Sequence, residues 1–318
     1  MKKPTKLAEN LFLIDGFDLK LEERTGTYVL TEKDLTIIET SASPSIPYVL
    51  EGLDQLGYSP DDIKYIIVTH IHLDHAGGAG LLLEKCPNAT VIVHPKGKRH
   101  LEDPSRLIAG ARAVYGEKFD LLFDPILPIP EDRLLEKMDK EQLSIGDNCT
   151  LTFYDSPGHA NHHFSIHHSS LNGIFTGDTA GISYPQLYRD GIELYLPSTS
   201  PNQFDPQKML TSIELFKSLN PDLIFFGHYG MSANPQEVFK QVSAWLDEFL
   251  EAAKKGYEEG ETIEQKVKKT NDLLVNRLTE YLSTKGVPKN HEVNTILALD
   301  MEVSSMGLID YLYKLTKK

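Results

Sequence analysis

The sequence predicts a layered α/β (α+β) domain followed by a helical extension, and three observations carry that prediction. Short apolar runs alternate with turns and helical stretches through about residue 233. From Asn234 onward only helical patterning remains. Composition is that of a globular chain: 40% of the 318 residues are hydrophobic and 25% charged, which excludes disorder and fibrous repeats. The expected domains are residues 1–233 and 234–318.

The elements follow in order. Leu11–Ile14, Tyr28–Leu30 and Leu35–Glu39 read as strands. Pro47–Leu56 reads as a helix, with proline in its first turn and Val49, Leu50, Leu53 and Leu56 at helical spacing. Ser59–Asp62 is a turn, and Lys64–Thr69 is a buried strand, fully apolar at Ile66, Ile67 and Val68. A helix over Ala79–Lys85, a strand at Thr90–Val93 and a helix over Ser105–Tyr115 come next. Asp120–Pro130 carries three prolines and reads as a loop. Leu143–Tyr154 suggests a strand pair around Gly146-Asp147-Asn148, and Phe164–His168 pairs with Gly173–Thr176 around Asn172-Gly173. Asp205 and Pro206 open a helix to about Leu219, and Leu223–Phe226 is a strand. Asn234-Pro235 starts a long helix with Val238, Val242, Trp245, Leu246 and Phe249 on one face. Thr262 and Gln265 have capping-box spacing for another. A last helix is expected over Ser304–Lys314.

Charge narrows the partners. The formal net charge is −14. Residues 1–235 hold 20 basic and 32 acidic residues, and the remainder is nearly balanced. Nucleic-acid and anionic-membrane binding rest on lysine and arginine, so a main domain at net −12 argues against both as partners. No stretch approaches the roughly 18 consecutive apolar residues of a membrane span. The first residues, Met1-Lys2-Lys3-Pro4, lead into no signal-peptide core, so a cytoplasmic location is expected. Cys86 and Cys149 are far apart and in no CxxC pattern, and read as reduced, buried thiols.

Chemistry concentrates directly after the Lys64–Thr69 strand. Thr69-His70-Ile71-His72-Leu73-Asp74-His75-Ala76-Gly77-Gly78 places three histidines and one aspartate within six residues. His70 and His72 alternate, so at a strand end they point the same way, and Asp74 and His75 fall on the turn into the next helix. Imidazole and carboxylate suit zinc, iron or manganese. Three further candidates follow predicted strands: His159 in Pro157-Gly158-His159, Asp178 in Gly177-Asp178-Thr179, and His228 in Gly227-His228-Tyr229. Each is flanked by glycine, which permits a tight loop.

The order HxHxDH, PGH, GDT, GH resembles the metallo-β-lactamase-fold superfamily, over about residues 8–232. The resemblance implies a four-layered αβ/βα sandwich, with residues 1–233 as the catalytic domain and a dinuclear metal site at the sheet edges. By position, His70, His72 and His159 resemble ligands of a first metal. Asp74, His75 and His228 resemble those of a second, and Asp178 resembles the carboxylate that bridges both. His75 in particular resembles the glyoxalase II, lactonase and phosphodiesterase branches. Glu39, in Ile38-Glu39-Thr40, sits where many members have an aspartate near the metals.

The expected activity is therefore that of a dinuclear metal-dependent hydrolase. A hydroxide bridging two divalent metals, zinc before iron or manganese, would attack a small ester, thioester or lactone. Asp178 would set the metal separation, and Asp74 would orient the hydroxide or pass a proton to the leaving group. Residues 181–204 form a long aromatic loop, in which Tyr184 and Arg189 are candidate substrate contacts. His163, four residues after His159, is a candidate support for the site or a substrate contact. His94, His100, His167, His168 and His291 read as structural or solvated. The helical extension suits a wall of the site or a homodimer interface. Competing readings are a mononuclear iron oxygenase resembling persulfide dioxygenases, a phosphodiesterase or nuclease, and a non-catalytic binding protein. The acidic main domain weighs against the nuclease, and the full set of seven ligands against the binding protein.

Overall fold

The computed structural model describes residues 2–317. Its elements run β1 (Thr5–Ala8), β2 (Leu11–Asp15), β3 (Gly26–Leu30), β4 (Leu35–Ile38), α1 (Ile46–Gln55), β5 (Ile63–Ile67), α2 (Leu73–Ala76), α3 (Ala79–Leu83), β6 (Thr90–Val93), α4 (Pro95–Glu102), α5 (Ser105–Tyr115), α6 (Phe119–Phe123), β7 (Leu134–Glu136), β8 (Gln142–Gly146), β9 (Cys149–Asp155), β10 (Phe164–His168) and β11 (Gly173–Gly177). There follow β12 (Ile182–Ser183), α7 (Pro185–Tyr188), β13 (Tyr195–Leu196), α8 (Pro206–Leu219), β14 (Leu223–Phe226), β15 (Met231–Ser232), α9 (Pro235–Glu259), α10 (Ile263–Thr284) and α11 (Val293–Thr316).

The chain divides into two compact units. The first comprises the residues up to Asp155, His162–Gly177 and Pro221–Ala233. It holds a seven-stranded mixed sheet in the order β1-β2-β3-β4-β5-β6-β7 and a six-stranded one in the order β15-β14-β11-β10-β9-β8. Alternation along the strands divides their side chains between two cores. Leu13, Tyr28, Ile38, Ile67 and Ile92 of the larger sheet meet Leu151, Phe153, Ile166, Phe175 and Phe225 of the smaller. Tyr28 lies edge-on to both Phe175 and Phe225, and its hydroxyl donates to the Phe226 carbonyl at 2.7 Å. On the other face of the larger sheet, Val29, Ile37, Ile66 and Val91 pack against Val49 and Leu53 of α1 and Leu82 of α3. The unit is thus helices, sheet and sheet.

The second unit comprises Ser156–Asn161, Asp178–Asn220 and Asn234 onward. Its helices begin where capping chemistry dictates. Asp205 accepts from the amides of Gln207 and Lys208 ahead of α8, Asn234 caps α9, and Thr262 with Gln265 closes a capping box ahead of α10. Each of α9, α10 and α11 buries an apolar stripe, led by Val242, Leu246 and Phe249 on α9, Leu274 and Leu278 on α10, and Met301 and Leu308 on α11. Residues 178–220, read from sequence as part of the first domain, group with these helices.

Several elements depart from the sequence reading. Strand β5 stops at Ile67, so His70 and His72 lie in the loop between β5 and α2 rather than on the strand end. Asp120–Pro130 is not wholly a loop, because Phe119 and Phe123 lie one helical turn apart and bury against Ala42 and Leu73. Helix α11 begins eleven residues before Ser304, since Val293, Ile296, Leu297 and Met301 continue its buried face. Strands β1 and β7 and helix α4 were not legible. Both cysteines are free and buried, as expected.

Candidate metal centre

The loop after β5 and the helix α2 carry the histidine-rich cluster. Nε2 of His70 lies 3.1 Å from Nδ1 of His72. A tetrahedral ion with metal–nitrogen bonds near 2.0–2.1 Å keeps its donors about 3.3 Å apart, so these two nitrogens already stand at ligand spacing. The other nitrogen of His70 is engaged by the Thr69 hydroxyl at 3.0 Å, which fixes the ring.

Asp74, His75 and His228 converge in the same unit, with donor atoms within 4.8 Å of one another. Asp74 Oδ2 lies 3.8 Å from His75 Nε2 and 3.5 Å from His228 Nε2. Helix α2 sets Asp74 and His75 side by side, and the Phe226–Tyr229 turn after β14 brings His228 to them. Tyr229 holds a left-handed backbone that lets the chain reverse there.

Electrostatics in this group are consistent with cation binding. Burial works to raise the Asp74 pKa. The charge of His75, the hydrogen bond and charge of His228, and the charge of Arg24 outweigh it and hold the carboxyl well below the usual range. Arg24 is itself buried and pairs with buried Asp18, its guanidinium 4.0 Å from Asp74. Burial raises the pKa of Asp18, against the pull of Arg24.

Glu39 supplies a further contact. It follows β4 with a left-handed φ of 65°, which turns its side chain under the cluster. One carboxylate oxygen accepts the Thr69 amide at 3.2 Å, and the other faces Nδ1 of His75 at 3.4 Å. That interaction leaves Nε2 as the nitrogen of His75 directed at Asp74. Glutamate thus occupies the role the sequence position suggested for an aspartate.

His163 is fully buried and stacks on His70, ring centroids 5.0 Å apart. Gly177 closes its other side, where a Cβ would overlap His163 Nε2 and the Thr69 hydroxyl. His163 therefore packs behind a site histidine instead of facing solvent as a substrate contact would. His162 lies edge-on to His72.

In the second unit, His159 and Asp178 lie together. His159 Nδ1 donates to the Ser198 carbonyl at 3.1 Å, which directs Nε2 toward Asp178 Oδ2 at 3.6 Å. Ser198 also donates its hydroxyl to that oxygen at 3.1 Å. Gly158, with φ 142°, packs so closely on Met209 of α8 that a Cβ would not fit. The two loop candidates lie in this unit too. Tyr184 is 1% exposed and donates its hydroxyl to Asp300 of α11 at 2.9 Å. Arg189 pairs with Glu292 at 2.6 Å and remains half exposed.

The donors are imidazole and carboxylate, all buried but the partly exposed His72 and Asp74. Non-ligand groups at Thr69, Glu39 and Ser198 fix three of the rings. Among the described residues this chemistry fits divalent metal ions.

A family model described as the metallo-beta-lactamase superfamily matches residues 24–228, well over half of the chain. The chain belongs to this superfamily. A metallo-beta-lactamase fold-containing protein of Sulfurisphaera tokodaii is 28% identical over 228 residues, covering 70% of this chain and 80% of the relative. An N-acyl homoserine lactonase of Bacillus thuringiensis is 28% identical over 183 residues, covering 57% of this chain and 61% of the relative. The crystal structure of an archaeal metallo-beta-lactamase superfamily protein from Sulfolobus tokodaii aligns at TM-score 0.61 and 25% identity, covering 76% of this chain and 87% of that one. A family protein from Thermus thermophilus aligns at TM-score 0.70, over 98% of this chain and 95% of its own, at 17% identity, which speaks to fold alone. The α/β sandwich with mixed sheets and C-terminal helices is thus the metallo-beta-lactamase fold.

Proposed function

We propose that this chain is a dinuclear metal-dependent hydrolase acting on a small ester, thioester or lactone. His70, His72 and His159 would hold one ion and Asp74, His75 and His228 the other, with the Asp178 carboxylate shared between them. The convergence of Asp74, His75 and His228, with Glu39 behind His75, is the observation that most supports this reading. Similarity to the Bacillus thuringiensis lactonase supports the substrate class. Two divalent ions held there would supply Lewis acidity toward a carbonyl oxygen and toward water.

The chain's own residues do the rest. Asp74, held ionised, would accept a hydrogen bond from the attacking water and orient it. Arg24 and Asp18 hold the Asp74 carboxylate in place. Ser198 positions both His159 and Asp178. The loop carrying Tyr184 and Arg189 shapes the substrate side, with Tyr184 as its anchor on α11 and Arg189 as the group at the surface. Zinc is the favoured metal, and a small molecule in the cytoplasm the favoured substrate.

The test is hydrolysis by the metal-loaded protein of a panel of lactones, thioesters and esters. Saturable turnover of at least one, lost in Asp178→Ala and His72→Ala, is the expected result. Wild-type turnover in either variant with metal removed sinks the scheme.

A further inference from the structure

A second group of soft and hard donors lies in the first unit, at the end of β10 away from His162 and His163. Cys149 opens β9 and His168 closes β10. His168 pairs with Leu151 across the ladder, so Cys149 stands two residues along on the same face. Cys149 Sγ lies 3.2 Å from His168 Nε2. The Thr31–Asp34 loop between β3 and β4 brings Glu32 to them, and the Asp34 amide pins that loop to the Ile145 carbonyl of β8 at 2.8 Å. Ligand atoms of Glu32, Cys149 and His168 all lie within 4.8 Å of one another.

We propose that Glu32, Cys149 and His168 form a separate binding site for one thiophilic divalent transition metal such as zinc. Three observations point there. A tetrahedral zinc with bonds near 2.3 Å to sulfur and 2.0 Å to nitrogen spaces those donors about 3.5 Å apart, close to the separation already present. The site also opens on a cavity of about 440 Å³ lined by Glu32, Asp147, His168 and Ser170, which admits the ion and a water as fourth ligand. Gly146 faces Glu32 so closely that a Cβ would stand 2.7 Å from the carboxylate, so a side chain there would displace Glu32 from the site.

The imidazole is oriented for this use. The Leu171 amide donates to Nδ1 at 3.3 Å and Ser170 Oγ stands 3.4 Å from the same atom, leaving Nε2 toward the sulfur. Metal entry displaces the thiol proton to solvent. For Nε2 to bind the ion, the imidazole proton must pass to Nδ1, which then donates to the Ser170 hydroxyl and gives up the bond it accepts from the Leu171 amide.

Cobalt(II) titration of the full chain tests the proposal. The His and Asp residues proposed for hydrolysis include no sulfur, so a thiolate-to-cobalt band in the near ultraviolet reports this site alone. It does so whether or not the hydrolase reading holds. The expected result is a saturable band, lost in Cys149→Ser together with one equivalent of bound cobalt per chain, and retained in Cys86→Ser. Glu32→Gln, a change at a part-exposed loop that leaves both cysteines in place, should weaken cobalt binding about 10-fold or more. No band at saturating cobalt, a band that survives Cys149→Ser, or unchanged affinity in Glu32→Gln overturns the proposal.

Discussion

Glu39 Oε2 faces Nδ1 of His75 at 3.4 Å, and both side chains are almost wholly buried. The carboxylate selects which imidazole nitrogen carries the proton and which is presented to Asp74. Glu39→Gln should therefore lower metal affinity by about 10–100-fold without unfolding the chain. Competition with a chromophoric chelator measures this. Wild-type affinity in the variant would show that the contact is packing only.

His228 reaches the cluster from the turn after β14, whereas Asp74 and His75 lie on α2, and its Nε2 is 3.5 Å from Asp74. With His228 as a ligand in the proposed hydrolase, its loss would remove several kcal/mol of transition-state stabilisation, so His228→Ala should reduce turnover about 100-fold or more. Steady-state kinetics on whichever ester, thioester or lactone proves active is the check. A variant that retains more than a tenth of the rate argues against a metal role for His228.

Tyr184 is an anchor, and its removal has a thermodynamic signature. Its hydroxyl donates to Asp300, and both residues are buried. Tyr184→Phe leaves a buried carboxylate short of a donor, at a cost of about 1–3 kcal/mol. Urea denaturation should show that loss, while metal content stays at the wild-type level. Unchanged stability would mean that Asp300 finds another partner.

His94 Nε2 bonds Asp155 at 3.1 Å, and that bond is the main cause holding the Asp155 pKa below its ordinary value. Between the unfolded and folded values the unfolded chain binds the proton more readily. The stabilisation is therefore complete above about pH 4 and is lost as pH falls below it. Asp155 is partly exposed, and solvent screening keeps the effect within about 1 kcal/mol. Asp155→Asn should flatten the acid limb of the stability curve below pH 4 relative to wild type. An unchanged limb would contradict the assignment.

The sequence makes some of this centre legible because four donors fall within the six residues His70–His75, a density that a solvated strand end rarely has. His159, Asp178 and His228 were legible because each follows an apolar run through a glycine. Arg24, Asp18 and Ser198 were not. They come from loops with no periodic pattern, and their roles depend on which distant segment they meet. Glu39 was visible only as a position, since a carboxylate after a strand does not reveal which nitrogen it faces. The same limit applies to Tyr184 and His163, whose burial sequence could not report. For the fold, capping residues marked the starts of α8, α9 and α10 to the residue. Helix α11 has no side-chain cap, and its start was missed. The edge strands β1 and β7 are short and half exposed, so no alternation betrays them.

The most direct test of the central claim is the number and identity of metal ions per chain, by elemental analysis of protein purified without added metal. It is best done in the Cys149→Ser background, so that the Cys149 site does not contribute. Two equivalents, of zinc or of zinc with iron or manganese, are the predicted result, both lost in Asp178→Ala. A single equivalent of iron would contradict the dinuclear hydrolase and direct attention to oxygen-dependent chemistry.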